Sequence, residues 1–345
     1  MLAVACLATV YYVVELWPAS QSGLQLRPDE TTGLYLNGDR GTDFAGEIIA
    51  AKLDLFAEAG VRIRLDTIPD DREFFASVVR DRAIGVTTGS KFLLARWRGE
   101  PVTAFGASFL DTAAIMVAPE KSGIRVPRDI VGRRLGYRRG AEELVIYDAM
   151  MAQLGLPRSQ VTLVPVEDVF SALHRGQVDA GVTAIGKLPL LVEGNAVRFN
   201  VIKPQDYGIH VPGLVYIASS ELLRDRPSVV REALRAMILG WQDVYVHPER
   251  AVAELVTADP THLNAQQVRF SLTQQRDLVR PTGMRIADYD ESRWNTLRDI
   301  LLYAKLGEQT VPLSTAVTYS IVRDVYRRPL NPDGEGGVSP ANEKP

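Results

Sequence analysis

Two rhythms of apolar positions alternate along the chain from residue 33. GLYLNG (33–38) is a short apolar run closed by glycine, and DFAGEIIAAKLDLFAEAG from Asp43 sets Phe44, Ile48, Ala51, Leu55 and Ala59 at helical spacing. Asp43 stands where an N-cap is expected and Gly60 where the chain leaves the helix, a position that favours glycine. VRIRLDTI then alternates strictly, Val61, Ile63 and Leu65 against Arg62, Arg64 and Asp66, as a half-buried strand does. Pro69-Asp70-Asp71 opens a further helix carrying Phe74, Phe75, Val78 and Val79, which leads into the strand AIGVTTG.

The same order returns. GRRLGYRRG predicts a strand to Tyr137, AEELVIYDAMMAQLG a helix stopped at Gly155, VTLVPV (161–166) a strand, EDVFSALHRG a helix and VDAGVT a strand. Gly60 and Gly155, Phe75 and Phe170, and Val86-Thr87 and Val182-Thr183 recur at a near-constant offset. Two units of one β-α-β-α-β plan are joined around FGASFLDTAAIMVAPEKSG. The expected fold class is α/β with two lobes, each a mostly parallel sheet flanked by helices. In such sheets ligands sit beyond the carboxyl ends of the strands. Those ends carry NGDRGTD (37–43) and TTGSK (87–91) in the first lobe, YRRGAEE (137–143) and TAIGK (183–187) in the second. The two lobes thus present polar, glycine-rich loops to one cleft. After VRFNVIKPQDYGIHVPGLVYIASS the pattern becomes long helices, started by Ser219 or Ser220 with Glu221, broken at Pro248 and reaching about Tyr326. The tail 327–345, RRPLNPDGEGGVSPANEKP, is expected to be disordered.

Composition narrows the function classes. The 345 residues are 46% hydrophobic and 23% charged, an ordinary folded composition. A net charge of -3 gives no global attraction to nucleic acid, and GRRLGYRRG is too local to supply one. Cys6 is the sole cysteine, which excludes an intramolecular disulfide and a multi-cysteine metal site. The four histidines, His174, His210, His247 and His262, are scattered without metal-binding spacing, so no metal is expected. Residues 1–17, MLAVACLATVYYVVELW, predict an export segment or membrane anchor, and 18–30 a polar tether. No P-loop or nucleophile elbow stands in the chain.

Candidate ligand-binding residues follow from the loops. Asn37, Asp39, Arg40 and Asp43 occupy the first, where the charges either reach the cleft or remain solvated. Thr87, Thr88 and Ser90 offer hydroxyls and backbone N–H groups at a strand end, and Thr183 holds the equivalent place in the second lobe. In YRRGAEE, Gly140 allows close approach to a helix N-terminus that attracts anions, beside Arg138. Glu142 and Glu143 pull the other way: they either support the helix dipole or meet an amine in the cleft. Tyr137 either stacks on a flat ring or belongs to the core. Asp111 adds an acid, and His210 lies in the cleft or at the surface.

The chain resembles type II periplasmic solute-binding proteins. IRVPRDIVGRRLGY looks like the phrase that opens their second lobe, here Asp129-Ile130-Val131-Gly132-Arg133, and ALHRGQVDAGV is similar to their helix–glycine–strand. LYLNGDRGTDFAGEIIAAKLDLFAEAG and LLRDRPSVVREALRAMILGW resemble the branch serving importers of alkanesulfonates, nitrate, taurine and thiamine-pyrimidine precursors. The resemblance covers roughly residues 30–325. It implies one lobe from 31–115 with 216–326 and another from 116–215, with crossings near 111–118 and 206–216. It further implies a non-enzymatic component of an ABC importer, without cofactor, that clasps a small solute and hands it to a membrane permease. Such a protein would be a monomer in the periplasm or on the outer face of the cytoplasmic membrane. The balance of acids and bases in the loops favours an amino-heterocycle, such as a thiamine pyrimidine precursor, over a sulfonate. Thiamine-precursor members tend to carry Trp after the first-loop Asn, where this chain has Gly38. Two alternatives share the fold: an envelope-anchored sensor, and a thiamine-pyrimidine synthase, whose cysteine-rich iron-binding run has no counterpart here.

Overall fold

The computed structural model describes residues 30–188 and 198–330. The apolar segment expected at 1–17, nearly all of the tether, and residues 331–345 of the tail lie outside them. In chain order the strands are β1 (Thr32–Leu36), β2 (Ile63–Thr67), β3 (Ile84–Thr88), β4 (Val102–Ala107), β5 (Ala114–Pro119), β6 (Arg134–Tyr137), β7 (Thr162–Pro165), β8 (Ala180–Ala184), β9 (Phe199–Ile202) and β10 (Leu214–Ser219). The helices used below are α1 (Ala45–Lys52), α2 (Gly89–Trp97), α3 (Glu142–Gln153), α4 (Pro227–Val246), α5 (Ala265–Val279) and α6 (Glu291–Tyr303).

The strands form two five-stranded sheets of one design, β2-β1-β3-β10-β4 and β7-β6-β8-β5-β9. β1 pairs in parallel with β2 and β3, and β6 with β7 and β8. The fourth strand of each sheet, β10 or β5, runs against both neighbours. Connectivity explains the reversal. β4 and β9 end on the cleft side, and the chain crosses directly into β5 or β10. The incoming strand can therefore only run away from the cleft. Residues 108–113 and 203–213 make the crossings.

Most element signals fold as their chemistry dictates. Asp70 caps its helix by accepting from the Glu73 amide at 2.8 Å, and Ser219 accepts from that of Leu222 at 3.1 Å. Gly60 and Gly155 adopt the positive φ angles of 76° and 65° that end a helix. The helix expected from Asp43 differs. It is a 3-10 turn (Thr42–Phe44), then α1, then a separate turn (Leu55–Glu58) begun by Asp54 at φ 54°. Asp43 makes no N-cap bond, because its carboxylate is engaged elsewhere.

The core beneath the first sheet is closed by α1 against α4 at backbone contact. A Cβ on Gly240 would lie 2.1 Å from the Gly46 carbonyl oxygen, so no larger residue fits at this crossing. The tail expected from residue 327 starts with residues the fold holds: Arg235 Nη1 donates to the Pro329 carbonyl at 2.7 Å, and Leu330 packs on the core.

Candidate functional site

The carboxyl ends of β1 and β3 bring the first group of predicted residues together. Asn37, buried just past β1, donates from Nδ2 to the Ile68 carbonyl at 3.1 Å. Its Oδ1 accepts from Thr87 Oγ1 at 2.8 Å and from Lys91 Nζ at 3.1 Å. Lys91 also pairs with Asp71 at 2.7 Å, so its charge is already matched. Thr88 is the N-cap of α2, accepting from the Lys91 amide at 3.4 Å, and its hydroxyl lies 3.3 Å from that of Ser90.

From the opposite lobe Glu142, at the first position of α3, lies near these hydroxyls. Burial is the largest influence on its carboxyl and raises its pKa; hydrogen bonds from Ser90 and Thr88 oppose this, Glu143 adds to it and Lys91 lowers it. A second juncture lies at the other lip. Asp43 accepts from Gln275 Nε2 at 2.5 Å. Burial again raises the carboxyl, Gln275 and Lys187 act against it, and Glu143 reinforces it. Thr183 is buried near the end of β8, directly before the turn Ile185–Lys187.

The remaining predicted residues go elsewhere. Arg40 turns back to β2, donating to the Leu65 carbonyl at 3.1 Å, and Asp39 is exposed. Arg138 and Gly140 are exposed; Gly140 has a φ of 73° with open space around it, so it serves the turn. Tyr137 packs against the hydrophobic core. Asp111 is a buried member of the hinge. Its carboxylate meets His210 Nδ1 at 3.1 Å and Arg293 Nη2 at 3.4 Å. The crossings themselves are tied: the Gly213 amide donates to the Phe109 carbonyl at 3.0 Å, and Gln205 Nε2 donates to that of Thr112 at 2.6 Å. A Cβ at Gly213 would meet the Asp111 carbonyl oxygen at 2.4 Å.

Residue-by-residue reading did not single out Gln275, Ser271, Gly186 or Arg293. The signal available for two of them is weak. Ser271 and Gln275 fall on the buried face of α5 with Val268, Leu272, Leu278 and Val279, polar residues on an apolar stripe. Away from the strand ends, a hollow of about 710 Å³ lies between α3 and the end of α6, with Asp148 and Arg158 paired at 2.8 Å on its wall.

The cleft therefore gathers the carboxyl groups of Asp43, Glu142 and Glu143 with hydroxyls from Thr88 and Ser90, while Lys91 and Lys187 are the nearby cations. Such a set accepts hydrogen bonds more readily than it receives an anion.

Comparisons with known proteins agree with this architecture. The chain is 25% identical over 219 residues to a Legionella pneumophila protein named 4-amino-5-hydroxymethyl-2-methylpyrimidine phosphate synthase, covering 62% of this chain and 69% of the relative. The fold is that of periplasmic binding proteins. The periplasmic aliphatic sulphonate binding protein SsuA of Escherichia coli superposes with a TM-score of 0.71 at 15% identity, over 91% of this chain and 98% of that one. The alkanesulfonate-binding protein SsuA of Xanthomonas axonopodis pv. citri, solved with MOPS, gives a TM-score of 0.63 at 14% identity over 84% and 98%. The family described as NMT1/THI5 like matches residues 41–251, more than half of the chain, and the protein belongs to that family.

Proposed function

We propose that this protein is the extracytoplasmic solute-binding component of an ABC importer, and that it clasps an amino-bearing heterocycle between its lobes. The observation that carries this reading is the meeting of Glu142, from the second lobe, with Thr88 and Ser90 of the first. A carboxyl group set near these hydroxyls gains most from a solute that brings N–H donors. A sulfonate brings only acceptors and would face Glu142, Glu143 and Asp43, with Lys91 already paired to Asp71. Burying an unmatched like-charge contact costs several kcal/mol. The family, the fold shared with sulfonate-binding proteins and the pyrimidine in the relative's name support the same reading. The partner is a membrane permease, the working form a monomer, and the site of action the periplasm or the outer face of the membrane. A sulfonate is the next candidate solute.

The synthase name of the Legionella relative favours a second reading, an enzyme that makes a pyrimidine. Mass spectrometry separates the two. Protein purified from its native host and denatured releases an amino-heterocycle, and the same compound returned to fresh protein is recovered unchanged. Release of a sulfonate, or conversion of the compound, overturns the proposal.

A further inference from the structure

We propose that Gln275 is a positioning residue of the cleft: lying on a helix outside both strand-end loops, it fixes Asp43 of the first lobe against Gly186 of the second and latches the lobes together. The inference rests in part on the solute-binding reading, but its structural core does not.

Several contacts meet at one point. Gln275 is fully buried, and its Nε2 donates to Asp43 Oδ1 at 2.5 Å. One turn earlier on α5, Ser271 Oγ donates to the Gly186 carbonyl at 3.0 Å. Gly186 stands in the turn after β8, at the lip of the second lobe, and Asp43 in the turn after β1, at the lip of the first. α5 therefore bonds both lips through two side chains on one face. The fit is tight as well as polar. A Cβ on Gly186 would sit 2.8 Å from Gln275 Nε2 and 3.0 Å from Asp43 Oδ1, closer than such atoms pack. A side chain at that lip would have to displace the tips of Gln275 and Asp43, and with them the latch.

The amide has one function left. With Nε2 on the carboxylate, Gln275 Oε1 is buried without a partner. A buried acceptor left unpaired is unfavourable, and a solute N–H relieves it where a sulfonate oxygen does not. The latch thereby adds a selective acceptor beside Asp43.

The test uses the full chain with Cys6→Ser, labelled at Ala57→Cys and Arg175→Cys, one exposed site in each lobe. Pulsed electron–electron resonance of the solute-free protein reads the distance. Gly186→Ala and Gln275→Met are expected to lengthen and broaden it by several ångströms. Gln275→Glu sets a second carboxylate against Asp43, beside Glu143 and Lys187; two carboxyl groups this close share a proton in acid and repel once both are ionised. It should therefore close on acidification more than the wild type does, a response that a merely structural role would not give. Titration with 4-amino-5-hydroxymethyl-2-methylpyrimidine and with methanesulfonate adds the solute readout. Gln275→Met should lose about tenfold in the ratio of the two affinities, the scale of one hydrogen bond. Distances equal to wild type in both Gly186→Ala and Gln275→Met overturn the latch. Widening in both, with neither probe bound by the wild type, upholds the latch and removes the solute reading alone.

Discussion

Glu47 shows how one side chain sets a pH dependence for the whole protein. It is fully buried, and its Oε1 accepts from Tyr216 Oη at 2.5 Å and from Trp241 Nε1 at 3.2 Å, while Oε2 has no partner. Burial outweighs these bonds and pushes the carboxyl up to about 7. A folded-state pKa raised above the unfolded value of about 4.5 means that its stabilisation is fully present below pH 4.5 and is lost as pH rises through 7. The loss between pH 5 and pH 8 is roughly 2–3 kcal/mol. Urea unfolding at the two pH values measures it, and Glu47→Gln should remove about that much of the difference. An equally steep difference in the variant would mean that Glu47 is ionised in the folded protein. Residues of this kind are hard to read in advance. EIIAAK looks like any helix that exposes its Glu, and only the approach of Trp241 and Tyr216 buries it.

At the scale of elements, the crossing of α1 and α4 makes the sharpest demand on sequence. Gly240→Ala drives a methyl group into the Gly46 carbonyl, and backbone cannot step aside as a side chain tip can. Overpacking of this sort destabilises by roughly 1–3 kcal/mol, sometimes more. Gly41→Ala, where the nearest atom stands 3.8 Å away and φ is an extended −160°, should change the urea midpoint little. Equal midpoints for both variants would contradict the close crossing. Signals carried within a few residues were legible: the Asp70 cap, the Gly60 and Gly155 stops, the break at Pro248 and the alternation of β2. The break in the first helix at Asp54 was not, since KLDLF continues the apolar spacing of the preceding turns. The reversed strands β5 and β10 were also hidden, because periodicity records which face is buried and carries no direction.

Across the whole molecule, the repeated order of elements foreshadowed two sheets of one design, and the strand-end loops are where the fold places Asn37, Asp43, Thr87, Thr88, Ser90 and Glu142. The C-terminal helices stayed silent. Gln275 belongs to no repeat and reaches Asp43 only through the folding of α5 over the cleft, so no local motif marks it. Asp111 and His210 stand at a crossing, where the Asp111 carboxylate meets both His210 and Arg293. On the proposed function, the cleft selects an amino-bearing solute through Glu142. The most direct test of that selection is calorimetric titration of wild type and Glu142→Gln with 4-amino-5-hydroxymethyl-2-methylpyrimidine and with methanesulfonate. The pyrimidine should bind, and Glu142→Gln should weaken it by about 2–3 kcal/mol, the scale of a charge-assisted hydrogen bond. Binding of methanesulfonate alone, undiminished or strengthened in Glu142→Gln, would contradict it.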